Sequence, residues 1–157
     1  MPLIFVMLFS LLVALLAAVY PLSPNLSVYR PELLCLLVIY WIMHSPHQIG
    51  VGIAWCVGLL QDLVEDGVWG GHALALALVA YISLMSYRRL RSYSISQQTF
   101  WIFIFVGIHQ LFVNWVQGLS GYAAPARYMV ISAFVSAVCW PLLVLLMFLL
   151  LRRHRAF

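Results

Sequence analysis

The sequence predicts an all-α integral membrane protein, a compact bundle of about six transmembrane helices with almost nothing outside the bilayer. Composition is the first reason. Of 157 residues, 66 % are hydrophobic and 8 % charged, and mean hydropathy is +1.05, whereas a soluble domain is roughly half apolar and about a quarter charged. Segmentation is the second. The apolar residues fall into six runs separated by prolines, glycines and short polar stretches. A spanning helix takes roughly 20 residues, so six short spans with tight loops use up the chain. No room is left for a soluble catalytic domain, a nucleotide-binding domain or a periplasmic binding module. Charge placement is the third. Every basic residue other than histidine is arginine, and most of the arginines sit in two clusters beside apolar runs, where membrane orientation explains them. The net charge of +4 therefore does not point to nucleic acid.

The first run, Leu3 to Tyr20, is closed by Pro21 and Pro24. It is long and has no arginine before it, so it reads as a retained span rather than a cleaved signal. The second, Glu32 to Met43, is opened by Arg30-Pro31-Glu32. Proline at the first helical position followed by an acid is a start signal. This run is too short to cross alone. Either it borrows flanking residues, or it forms a re-entrant or broken pair with the third run, sheltered by the bundle. The third, Gln48 to Val64, follows the break His44-Ser45-Pro46-His47. The fourth, His72 to Tyr87, opens behind Gly70-Gly71 and carries Ala73, Ala75, Ala77 and Ala80, a smooth surface for close packing. The fifth is Thr99 to Gln117. The sixth, Tyr128 to Leu151, contains Pro141, which is expected to kink it. The preferred reading is one transmembrane domain, 1–157, with spans at about 3–20, 30–44, 47–64, 72–87, 99–117 and 128–151.

Arg88, Arg89 and Arg91 follow the fourth span, and Arg152, Arg153 and Arg155 follow the sixth. Both clusters belong on the cytoplasmic side, which places both termini there. Arg30, Arg127, Glu65 and Asp66 then lie in outer loops.

Two stripes stand out. Gly50, Ala54, Gly58 and Asp62 recur every four residues and so share one helical face. Small residues admit another helix closely, and a carboxylate at the end of such a face usually turns toward the bundle interior or water. One reading is a packing seam whose last residue reaches the headgroups. The other is a buried acid paired with Arg30 or a histidine at a partner or ligand site. Gly107, Gln110, Asn114 and Gln117 form the second stripe, either as helix glue through amide hydrogen bonds or as the wall of a polar cavity. His109 points off that stripe. Ser132 and Ser136 are one turn apart ahead of Pro141 and read as groups that satisfy the backbone at the kink.

Catalysis finds no support. The chain has no GxSxG, HExxH or Walker motif and no credible nucleophile with paired carboxylates, so neither an enzyme nor a cofactor is expected. His44 and His47 are separated by Pro46 and lack a third ligand nearby, so no metal is expected. Cys35, Cys56 and Cys139 lie inside apolar runs and read as small hydrophobes.

Seven stretches, in order, carry a resemblance: Tyr29-Arg30-Pro31-Glu32, Ile39-Tyr40-Trp41, Pro46-His47-Gln48-Ile49-Gly50-Val51-Gly52, Trp55-Cys56-Val57-Gly58-Leu59-Leu60-Gln61-Asp62, Gly71-His72-Ala73-Leu74-Ala75-Leu76, Trp115-Val116-Gln117-Gly118 and Trp140-Pro141. With the size and the closing arginine tail, they resemble the rod shape-determining protein MreD family of proteobacterial type. The resemblance implies a non-enzymatic inner-membrane scaffold of the elongation machinery. It implies contact with the membrane helix of the bitopic protein MreC, and direct or indirect work with the MreB filament and with RodA and its partner transpeptidase. It also implies a fold similar to the S components of energy-coupling-factor transporters. The polar residues it covers are Arg30, Glu32, His47, Asp62, His72 and Gln117. On this reading the Gly50-Ala54-Gly58 face, or a groove beside it, serves packing with a partner, and the arginines touch lipid or the filament system. The alternatives are an S-component-like small-molecule binding subunit, a small permease, or a channel built as an oligomer.

Overall fold

The computed structural model describes residues 3–65 and 68–155, with side chains through Arg153. Asp66 and the Arg155 side chain, both used above to read topology, lie outside the described residues. Every regular element in the described residues is a helix: α1 (Leu3–Val19), a single turn α2 (Pro24–Ser27), α3 (Leu33–His44), α4 (Val51–Val64), α5 (Gly71–Ser92), α6 (Ile95–Leu119) and α7 (Ala126–Arg155). The six longer helices match the six apolar runs, and α5, α6 and α7 are each long and apolar enough to cross a membrane.

The short second run becomes the centre of the bundle. Every residue of α3 from Leu34 to Met43 is buried, and the helix packs on α1, α5, α6 and α7. A helix apolar on all sides must be covered on all sides, and its length of about 18 Å matters less when no face meets lipid. The indole of Trp41 donates to Ser10 Oγ at 3.0 Å, tying α3 to α1. Trp140 of α7 lies fully buried near Tyr40, ring centroids 6.4 Å apart.

The closest approach is between α4 and α5. A Cβ on Gly58 would stand 2.4 Å from Ala73 Cα and 2.7 Å from His72 O, so only glycine allows this crossing. Ala54 is fully buried on the same seam. The small-residue face is therefore filled by the chain's own α5, and a partner helix has no access to Gly58. Gly50 caps α4 and has open space around it.

α5 and α6 outrun their apolar runs toward each other. α5 continues through Arg88, Arg89 and Arg91 to Ser92, and α6 already starts at Ile95. Arginine and glutamine are good helix formers, so the helices extend past the hydrophobic edge and leave only Tyr93 and Ser94 between them. The turn is fastened from below. Gln98 donates to Leu90 O (3.1 Å) and Tyr93 O (3.3 Å) and accepts from Trp140 Nε1 (3.2 Å). Pro141 sits within α7, which remains one element.

Candidate functional site

The polar groups gather at the end of the bundle opposite the arginine clusters, where α3, α5 and α7 begin and α4 and α6 end. The chemistry there starts with Asp62, in the last turn of α4 and 1 % exposed. Its Oδ1 accepts from the His72 backbone (3.1 Å) and from His72 Nδ1 (2.8 Å). Its Oδ2 accepts from the Gly70 backbone (2.9 Å) and the Ala73 backbone (3.3 Å). The carboxylate thus caps α5 from a neighbouring helix, meeting the positive end of the helix dipole and three of its orphan donors. Gly70 makes this possible by adopting φ +96°, a conformation other residues hold only under strain. The partner of Asp62 is His72. Arg30 is not, because its guanidinium donates to the carbonyls of Ala18 and Tyr20 at the end of α1.

His72 also reaches outward. Its Nε2 lies 3.5 Å from Glu65 Oε2, so one imidazole stands between two carboxylates. Glu65 also accepts from Gln61 Nε2 at 3.1 Å, and its side chain is 27 % exposed. Loss of water contact pushes the Glu65 carboxyl above its ordinary value; His72 pulls it back and the Glu32 charge adds to the rise.

A second knot joins α3, α6 and α7. Gln110 Nε2 donates to Glu32 Oε1 (2.7 Å) and to Ser132 Oγ (3.1 Å). The Glu32 backbone donates to Ser136 Oγ (3.0 Å), and Ser136 donates on to Ser132 O (2.8 Å). The two serines therefore receive the start of α3; they do not repair the backbone beside Pro141. Asn114 Oδ1 accepts from the Ala124 backbone (2.7 Å) and holds the α6–α7 loop. The carbonyl of Gln117 closes α6.

Of the candidate residues, Arg30, Glu32, Asp62, His72, Gln110, Asn114 and Gln117 share this end. His47 is exposed in the loop between α3 and α4, at the arginine end, and joins nothing here. Gly50 lies at that end too. Three participants were not singled out from sequence: Gln61, Glu65 and His109. Their signal was spacing. Gln61 and Glu65 are four apart on one helix, the reach of a side-chain pair. His109 is 1 % exposed, with ring centroid 5.9 Å from that of His72, and neither ring nitrogen has a partner among the described residues. Among the described residues no three His, Cys, Asp or Glu side chains converge as metal ligands.

A small cavity opens beside this cluster, lined by Arg30, Glu32, Gln61 and Glu65 and by the alanines of α1, with a volume of about 30 Å³. A larger cavity of about 360 Å³ lies between α1 and α7 over α3 and is almost wholly apolar, lined by Phe5, Phe9, Leu37 and Leu146 among others.

The chain is 29 % identical over 143 residues to the rod shape-determining protein MreD of Haemophilus influenzae, covering 91 % of this chain and 88 % of that protein. No solved structure matches the chain. The family model for the rod shape-determining protein MreD matches residues 2–153, nearly end to end, and the chain therefore belongs to the MreD family.

Proposed function

We propose that this protein is a non-enzymatic, multi-pass scaffold of the rod elongation complex in the bacterial inner membrane, with both termini cytoplasmic. It binds the membrane helix of the bitopic protein MreC and helps direct lateral peptidoglycan synthesis through MreB, RodA and the transpeptidase paired with RodA. The observation that carries this reading is family membership across a chain with almost no mass outside its helices. Such a protein acts only through helix faces, short loops and internal cavities. The Gly58 seam is occupied internally, so partner contact belongs to the outward faces of the helices.

The transport reading asks for a ligand pocket of roughly 300–1,000 Å³ with a few convergent polar groups. The polar cavity at the acidic end holds about 30 Å³, which speaks for the scaffold. The test is to tag the protein at its natural level, solubilise the membrane in mild detergent and identify by mass spectrometry what co-purifies. The expected result is the bitopic protein together with wall-synthesis enzymes. Recovery of a transport ATPase with its coupling subunit, and none of those partners, overturns the proposal.

A further inference from the structure

The cluster at the acidic end is short of positive charge. Asp62, Glu65 and Glu32 bring three carboxylates within one connected set of side chains. Against them stand the Arg30 guanidinium and, at most, one imidazolium on His72. Even with His72 protonated, one negative charge is uncompensated among the described residues. Ionisable groups in or beside a membrane bundle are costly unless paired, so the acidic end favours an additional positive species, a cation or a proton.

The place for it is the cavity of about 30 Å³ between α1, the start of α3 and the end of α4, room for one or two water-sized occupants. Glu65 and Glu32 line it. Gln61 lines it as well, is 2 % exposed, and gives its Nε2 to Glu65. Its Oε1 is buried without a hydrogen-bond partner among the described residues. A buried amide oxygen left without a donor is costly, and in a native structure it calls for an unseen partner. Arg30 also lines the cavity, with one N–H of each terminal nitrogen given to the carbonyls of Ala18 and Tyr20. Glu32 Oε1 is taken by Gln110, which leaves Oε2. The groups that remain are all hard oxygens, suited to alkali or alkaline-earth cations and not to soft metals. One missing charge selects a monovalent ion, and the volume is too small for a guanidinium from another chain.

We propose that the cavity bounded by Gln61, Glu65 and Glu32 binds a single monovalent cation of sodium size, with Gln61 Oε1, Glu32 Oε2 and a Glu65 carboxylate oxygen shared with its present partner as its protein ligands. The cation completes the charge balance of the acidic end and locks the start of α3 against the end of α4. It enters from the acidic end, where the Glu65 side chain is partly exposed.

The experiment is thermal unfolding of the purified full-length protein in detergent, at fixed pH and ionic strength, with sodium, potassium, choline or methylammonium chloride. Sodium should raise Tm saturably over choline, by roughly 3–6 °C at about ten times the dissociation constant. Gln61→Met, which keeps length and removes the oxygen, and Glu65→Gln, at a partly exposed position, should each abolish the difference between sodium and choline, each variant being compared with its own Tm in choline. If one variant fails to fold, the other decides. Equal Tm in sodium, potassium and choline overturns the proposal. So does a sodium effect that survives in the variants. Stabilisation by methylammonium and by no inorganic ion places an ammonium side chain from a partner protein there instead. Stabilisation by lowering pH alone places a proton there. Each of these two results overturns the cation.

Discussion

Asp62 accepts four hydrogen bonds on two oxygens, three of them from the backbone at the start of α5. An amide at this position keeps one acceptor and turns an NH2 group toward backbone donors. Asp62→Asn should therefore cost about 1–3 kcal/mol, read as a lower Tm of the purified protein and less protein in the membrane. His72→Gln removes one of the four donors and leaves three backbone donors in place. It should cost less than Asp62→Asn. Equal stability of Asp62→Asn and the parent protein would show that the cap is dispensable. The sequence carried part of this: a carboxylate ending a stripe of small residues signals a buried acid. Its partner was not legible, because Arg30 or any of the histidines could pair with it until the α4–α5 crossing and the turn at Gly70 bring His72 to it. His109 was set aside for pointing off the amide stripe, yet it is among the most buried polar residues. Helical periodicity ranks faces of one helix and does not reveal which neighbour covers them.

At the scale of the element, the glycines separate cleanly by what surrounds them. Gly58→Ala forces a methyl group against the backbone of Ala73 and His72, and the helices must move apart. The expected cost is at least about 1–3 kcal/mol, and Gly58→Leu should prevent stable folding altogether. Gly107→Ala in α6 meets nothing within 4 Å and should be neutral or stabilising by up to about 1 kcal/mol. Thermal unfolding of the three variants side by side tests this. A fully stable, normally inserted Gly58→Leu protein would contradict the observed crossing. The stripe of small residues was visible in the sequence as a place for close helix contact. Whether the contact was internal or external was not, since small residues favour both equally. The same limit applies to Ser132 and Ser136. One turn apart and ahead of a proline, they suggested local backbone repair, whereas the incoming N–H belongs to Glu32, more than 100 residues away in sequence.

For the whole molecule, charge is divided by end. Glu32, Asp62 and Glu65 share one end with the α6–α7 loop, while Arg88, Arg89, Arg91, Arg152 and Arg153 lie at the other. Arginine-rich ends face the cytoplasm. A cysteine at Ala123 should therefore react with a membrane-impermeant maleimide in intact cells, and one at Ser96 only after permeabilisation. The reverse pattern would invert the proposed topology. The number of helices and their order were legible because each apolar run is bounded by proline, glycine or charge. The interior position of the shortest run was not, because a uniformly apolar helix looks the same whether it faces lipid or protein.

That interior helix bears on how the protein is made. With 12 residues, α3 falls short of the roughly 20 that a bilayer-spanning helix takes. Most of what covers it is contributed by α5, α6 and α7, which the ribosome delivers later. A nascent chain that has completed only α4 holds this uniformly apolar segment without a roof. Insertion of α3 must then wait for α5, which makes biogenesis a concerted event rather than a helix-by-helix one. Chains cut off before α5 should be degraded instead of accumulating as a stable half-bundle, and α5 should be the first segment whose synthesis renders α3 resistant to extraction from the membrane.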